Sequence, residues 1–315
     1  MKTLTRSEAA EFLLQNDKFA ILTHRKPDGD TLGSAAALCL GLRSLGKTAH
    51  ILENPEIGAR LAFLAEGLTK EEAAECDTVI AVDVAAPNML PKCFARYEDW
   101  VRLRIDHHGS STPFAEAELA DPESASCAEL IGEVLALMGT SLNRDIANAL
   151  YVGISTDTGC FRYANTTAHT FRTAADCAEA GAEIFRLNQM LFETNSLAKL
   201  RMHAWIAENL RLFDGGKKAI VAIPRAVEDL IGVTEEDMDN ISSFPRTVEG
   251  VFLAATLRQT KDGITKISAR AVPGYDAAAV CAHFGGGGHK GAAGGSSSLS
   301  LEETAKQLEE IMLKQ

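Results

Sequence analysis

No stretch of the 315-residue sequence reaches the length of a membrane-spanning helix. Basic residues are the minority, 31 Lys and Arg against 43 Asp and Glu, giving a formal charge of −12 and a pI near 5.2. That balance argues against a protein that coats long nucleic acid or an anionic membrane, and leaves room for a small anion in a local positive pocket. Nor is there a C-x-x-C pair. The thiols of Cys39, Cys76, Cys93, Cys127, Cys160, Cys177 and Cys281 are scattered and odd in number. They fit reduced cysteines in a cytoplasm and suggest neither a disulfide framework nor a zinc ribbon. No long internal repeat is visible. The opening MKTLTRSEAAEFLLQNDKF reads as an amphipathic helix carrying acidic residues rather than as a signal core, so a soluble, cytoplasmic protein is expected.

What is present is apolar material for a sizeable core, 46% of residues, in a chain long enough for two domains. The first half alternates short β-rich runs (FAILT, TAHIL, DTVIAVDVA, VRLRID) with helical patterns, one beginning near Asp30 with the small and apolar residues LGSAAALCLGLRSLG. That order predicts an α/β fold with a doubly wound, mainly parallel sheet. Helices are expected at 124–139, 143–153 and 166–187, and a longer one at 197–213. A smaller C-terminal α/β domain follows, with strand KKAIVAI, a helical AVEDLIGVTEEDMDNIS, a hairpin turning at KDG, a glycine-rich stretch and a last amphipathic helix. GGSSS reads as a loop inside that domain. The predicted boundaries are 1–187 for the catalytic domain, 188–213 for a linker helix and 214–315 for a substrate-binding domain.

Chemistry-bearing residues collect where the first strands run out: His24, Asp28 and Asp30 after FAILT, Asp83 in AVDVA, and Asp106, His107 and His108 after VRLRI. Asp157 in STDTG joins them. Each has an ordinary explanation alone, since Pro-Asp-Gly is a common turn, DHH can be a surface cluster, and Asp83 or Asp157 can cap a strand or form an Asx turn. Together they would face one crevice, because open α/β sheets bind ligands beyond the carboxyl ends of their strands. Four crowded carboxylates would raise one another's pKa and destabilise the fold unless cations sat among them. Two divalent ions remove the repulsion, and a carboxylate-rich set with two imidazoles favours Mn²⁺ or a similar ion over a thiolate zinc site. Two such ions, about 3.5–4 Å apart, can hold a bridging hydroxide for phosphoester hydrolysis.

Five motifs, HRKPDGDTLGS (24–34), VDVA (82–85), DHH (106–108), GISTDTGCFRY (153–163) and FGGGGHKGAAGG (284–295), resemble the DHH phosphoesterases that carry a DHH-associated C-terminal domain. The arrangement looks most like the NrnA type, which degrades very short RNAs and removes phosphate from 3′-phosphoadenosine 5′-phosphate (pAp). The resemblance implies that His24, Asp28 and Asp83 hold one manganese and Asp30, Asp83, His107 and Asp157 the other, with Asp83 bridging. It implies that His108 lies beside the scissile phosphate. Asp106 would orient His107 or cap the strand. Arg162 is a further catalytic candidate whose alternative is a structural ion pair. Arg270 would bind phosphate. Gly285, Gly286, Gly287, Gly288 and His289 would clamp the substrate's terminal phosphate or base, although such a stretch alone is more often a flexible loop.

The implied substrates are short RNA, linear dinucleotides such as pApA, and pAp, with no long duplex and no membrane; a homodimer is consistent with the family. A cyclic di-AMP phosphodiesterase shares every motif. A remoter alternative is a non-catalytic nucleotide- or RNA-binding module. A long-strand exonuclease needs a further domain, and an inorganic pyrophosphatase lacks the glycine run.

Overall fold

The computed structural model describes residues 1–73 and 76–315 and divides into two units, Met1–Thr194 and Asn195–Gln315. In the first unit the strands are β1 (Lys2–Thr3), β2 (Phe19–Leu22), β3 (Ala49–Leu52), β4 (Thr69–Lys70), β5 (Thr78–Val82), β6 (Val101–Asp106) and β7 (Ala117–Ala120). They pair in the order β1-β7-β6-β5-β2-β3-β4, every pairing parallel. Residues of β2, β3 and β5 are buried without alternation, as expected of parallel strands covered on both faces.

The helices of this unit are α1 (Arg6–Gln15), α2 (Gly29–Ser44), α3 (Cys127–Leu137), α4 (Arg144–Asp157), α5 (Ala168–Glu179) and the short α6 (Ile184–Asn188). Helix α2 is buried along most of its length, which its nearly continuous small and apolar composition permits. It lies very close to α4. A Cβ added to Gly33 would stand 2.4 Å from the Ala149 carbonyl oxygen, and one added to Gly153 would stand 2.4 Å from Ala128 Cβ and 2.9 Å from Asp30 Oδ1. Glycine at these positions therefore lets the carboxyl end of α4 come up against the amino end of α2. The chain leaves β2 through α2 to β3 on one side, while β5 pairs with β2 on the other. The winding reverses there, and a crevice forms beyond the carboxyl ends of β2 and β5.

The second unit contains α7 (Leu197–Asn209), β8 (Arg211–Phe213), β9 (Lys218–Ile223), α8 (Arg225–Ile231), β10 (Leu253–Gln259), β11 (Thr265–Ala271), α9 (Ala277–Ala282), β12 (Gly287–Gly288), β13 (Ala292–Ser297) and α10 (Leu301–Met312). Its sheet runs β12-β13-β11-β10-β9-β8, antiparallel except for β9 with β10. Neighbouring residues of β9 point to different cores. Ile220 packs with Val280, Leu308 and Met312, and Val221 with Met202, Ile206 and Ile241. The KDG hairpin is present, with Gln259 opposite Thr265.

Four local expectations need correction. The helical stretch expected at 166–187 is two helices, α5 and α6, parted at Gly181, whose φ is 89°. GGSSS is strand rather than loop: Gly294 to Ser297 pair with Ser268 to Thr265. The expected helix over AVEDLIGVTEEDMDNIS stops at Ile231, because Gly232 takes a left-handed conformation (φ 77°) and donates its N–H back to Glu228. The helix expected at 197–213 ends at Asn209, and 211–213 are strand. The two units divide inside the 188–213 segment, and α7 buries Met202 and Ile206 in the second unit's own core. Among the described residues no helix is long and apolar enough to cross a membrane.

Overpacking at the α2–α4 contact gives a direct test. Gly153→Ala should destabilise the protein by about 1–3 kcal/mol, read from urea unfolding. Wild-type stability in this variant would contradict the close approach.

Candidate metal centre

Three neighbouring strands and two helix ends build the crevice. His24 follows β2, Asp83 follows β5, and Asp106, His107 and His108 lie at and beyond the end of β6. Asp28 caps α2 by accepting the N–H groups of Asp30 (3.0 Å) and Thr31 (3.2 Å). Asp30 sits in the first turn of α2, and both its oxygens accept from the start of α3: Cys127 N–H donates to Oδ2 (2.7 Å) and Ala128 N–H to Oδ1 (2.9 Å). Asp157 is the last residue of α4. Asp83 is held in a left-handed backbone conformation, φ 58°, which is uncommon outside glycine although aspartate tolerates it better than most residues.

The two predicted imidazole ligands share one orientation. His24 Nδ1 is 2.8 Å from the Arg25 carbonyl and His107 Nδ1 is 3.3 Å from that of Ser124, so each presents Nε2 to the crevice. His107 Nε2 stands 3.6 Å from a carboxylate oxygen of each of Asp30, Asp83 and Asp157. His24 Nε2 is 3.5 Å from Asp28 Oδ1 and 3.6 Å from Asp83 Oδ2. Asp83 thus turns one oxygen to His24 and the other to His107. These separations are too long for good hydrogen bonds, whereas two donor atoms about 2.0–2.2 Å from a shared ion stand about 3.0–3.6 Å apart. Asp83 Oδ1 is buried and has no hydrogen-bond partner, as a ligand atom awaiting a cation would be. Candidate metal groupings among the described residues are His24, Asp28, Asp83; Asp30, His107, Asp157; and Asp83, His107, His108. The residues fit a divalent metal centre.

Electrostatics agree. Burial and the neighbouring Asp30 push Asp83 up to about 7. Burial and the Asp83 charge push Asp157 up to about 7 as well. Burial together with Asp157 and Asp28 raises Asp30 well above the usual carboxylate range. Burial opposes protonation of His24, yet Asp28 and Asp83 raise it to about 10. Protons here stand in for missing positive charge.

Asp106 does not orient His107. Its Oδ1 accepts from His108 Nδ1 (2.8 Å) and from the backbone N–H of His107 (2.9 Å) and of His108 (3.3 Å). Its carboxylate instead caps the end of β6 by accepting those two backbone N–H groups, while the His107 ring meets the Ser124 carbonyl through Nδ1. Within β6 the two-residue period of the strand places Arg104 with Asp106. Sequence reasoning passed over Arg104, although R-x-D-x-H at a strand end is the signal that finds it. Arg162 donates from Nε to the Gly159 carbonyl (2.5 Å) and is exposed.

In the second unit the glycine run has structural reasons of its own. A Cβ at Gly286 would lie 2.0 Å from Gly294 O, and one at Gly288 would lie 2.6 Å from Ala292 O. Gly287 is free of both constraints: open space surrounds its would-be Cβ, and its φ is not positive. His289 and Lys290 are exposed in the turn that joins β12 to β13. Arg270 is half-buried on β11 opposite Ala292, beside that turn.

Residues 18–154 match the DHH family, N-terminal domain, and residues 222–314 match the DHHA1 domain. The chain is similar to the bifunctional oligoribonuclease and PAP phosphatase NrnA of Thermus thermophilus, 31% identical over 93% of this chain and 88% of that protein. It is also similar to the cyclic-di-AMP phosphodiesterase GdpP of Geobacillus thermodenitrificans, 26% identical over 96% of this chain but only 48% of that longer protein. In fold it resembles the crystal structure of an exopolyphosphatase-related protein from Bacteroides fragilis, with a TM-score of 0.89 at 22% identity, covering 98% of this chain and 95% of that one.

Without metal, Asp83 and Asp157 keep protons up to about 7 in the native state, against 3.8 for the ordinary group. The native state therefore binds more protons than the unfolded chain, and this contribution to stability is lost as pH rises from about 4 to about 7. His24, raised from 6.5 to about 10, continues the loss at higher pH. The melting temperature in chelator should thus fall between about pH 5.5 and about pH 8.5, and added Mn²⁺ should flatten or reverse the fall. Identical slopes with and without the ion would mean that the cluster binds none.

Proposed function

Because the chain belongs to the DHH family and is a hydrolase of phosphoester bonds, we propose that it is a cytoplasmic, manganese-dependent enzyme acting on oligoribonucleotides of a few residues, linear dinucleotides such as pApA, and pAp. One observation carries the two-ion reading: the carboxylate of Asp83 is shared, Oδ2 toward His24 and Oδ1 toward His107, each at 3.6 Å. His24, Asp28 and Asp83 would hold one ion; Asp30, Asp83, His107 and Asp157 would hold the other. When bound, such ions supply Lewis acidity and a water nucleophile at neutral pH.

The protein's own groups do the rest. His108, fixed through Nδ1 by Asp106, offers its other ring nitrogen to the scissile phosphate or to the leaving oxygen. Its charged form is favoured, because Asp106 pairing outweighs burial and raises it to about 9, so it holds a proton to give. Arg162 lies five residues beyond Asp157 with its guanidinium exposed, suited to a phosphate oxygen. In the second unit Arg270, the glycine run and His289 would clamp a terminal phosphate or base. An end clamp favours short substrates, and the acidic composition disfavours long ones. Coverage of most of the NrnA relative supports this reading over the cyclic-dinucleotide one, which the GdpP similarity keeps in play.

Turnover of pAp, pApA, cyclic di-AMP and a short RNA, with Mn²⁺ and with chelator, separates the two. Linear substrates and pAp should be hydrolysed only with metal; cyclic di-AMP as the best substrate would move the role to second-messenger breakdown. Asp83→Ala should reduce turnover to background and weaken Mn²⁺ binding, and retained activity would overturn the shared-carboxylate mechanism. Gly287→Ala, at the position the fold leaves free, should raise KM while kcat and bound metal stay as in wild type. An unchanged KM would remove the glycine run from the substrate site.

A further inference from the structure

Behind the metal centre the guanidinium of Arg104 is wholly buried. Its NH1 donates to Asp106 Oδ2 (2.7 Å) and to the carbonyls of Val84 (3.3 Å) and Ala85 (3.4 Å). Its NH2 donates to Ser111 Oγ (3.0 Å) and to Glu118, the residue directly opposite Arg104 in the β6–β7 register. One planar group therefore touches four features: the strained turn just after Asp83, the carboxylate that fixes His108, the loop after His108, and the neighbouring strand. The loop is tied in again by Thr112 N–H, which donates to Ala85 O (2.9 Å).

The arrangement is unfavourable for stability alone. A buried guanidinium with two carboxylates loses more solvation than an apolar set of the same size, and Arg104 Nε is left buried without a partner. Sites that break packing rules in this way are concentrated where function needs a geometry held. A lysine would not serve, because only the fork of a guanidinium reaches Asp106, two carbonyls and Glu118 at once.

We propose that Arg104, braced by Glu118, is a positioning residue for phosphoester hydrolysis: it holds Asp106 against His108 and fixes the Val84–Ala85 carbonyls that set the backbone at Asp83. It touches neither substrate nor metal. This rests on the hydrolase reading of the same site.

The test uses the manganese-loaded full chain. Arg104→Met alone leaves the buried Asp106 and the half-buried Glu118 without their cation and should lose both stability and turnover. Arg104→Met with Glu118→Leu removes the stranded Glu118 but still leaves Asp106 buried without its cation, so it should regain part of the lost melting temperature and its bound Mn²⁺. Its kcat on pApA should nevertheless stay about 10–100-fold low with KM within about threefold of wild type. Return of kcat along with melting temperature would reduce Arg104 to a structural role and overturn the proposal. Arg104→Lys keeps the charge and removes the fork. It should fold, bind Mn²⁺ and show the same kcat loss, and wild-type kcat in it would be equally fatal. A wild-type protein without phosphoester turnover would strike the hydrolase reading instead. The positioning claim is then read from ¹⁵N-histidine NMR of the metal-free protein, where the His108 Nδ1–H resonance should be lost in Arg104→Lys and its persistence unchanged would overturn the claim.

Discussion

Asp30, Asp83 and Asp157 each bring a carboxylate oxygen to 3.6 Å from one imidazole nitrogen, and two of the three are buried. Like charges so placed oppose one another, and the architecture of the first unit can be read as what it takes to hold them there. Helix α3 aims its first N–H groups at Asp30, where the positive end of a helix favours an anion. Helices α2 and α4 dispense with side chains at Gly33 and Gly153 so that their acidic ends can meet. The backbone at Asp83 accepts a left-handed conformation so that its carboxylate faces both histidines. A divalent cation held there would turn each of these costs into a contact and so would contribute to folding.

Much of this is written locally in the chain. Parallel strands buried on both faces leave continuous apolar runs, so β2 and β5 are visible as FAIL and TVIAV, β6 shows as the arginine-interrupted VRLRI, and the topology rule brings their ends together. What was misread depended on a partner far away in sequence or on a conformation that a single residue imposes. GGSSS has the composition of a linker and becomes a strand only because β11 lies beside it. The helix after Arg225 ends at Gly232, a terminator that the helical periodicity of the flanking residues conceals. Of the two roles open to Asp106, orienting His107 or capping the strand, the contacts favour the cap, and the ring it holds is that of His108.

Arg104 shows the same lesson at longer range. An arginine in VRLRID reads as a surface interruption of an apolar strand, and its complete burial requires Glu118, fourteen residues later, to stand opposite it in the sheet. The glycine run carries two meanings at once. Gly286 and Gly288 are demanded by backbone packed against backbone, whereas Gly287 is demanded by nothing inside the fold. The same motif thus holds positions that the fold requires and one that it leaves free.

The margins of the two sheets carry a consequence for the life of the molecule before it reaches its folded state and after it crowds among its own copies. The outermost strands β1, β4 and β12 have two residues each and β8 has three. A parallel sheet assembled from distant segments forms slowly and exposes pairing groups meanwhile. Margins this short give a neighbouring chain almost no ladder to extend, and the exposed Lys2 on β1 and Lys70 on β4 add charge at two of those rims, so association by strand addition is discouraged.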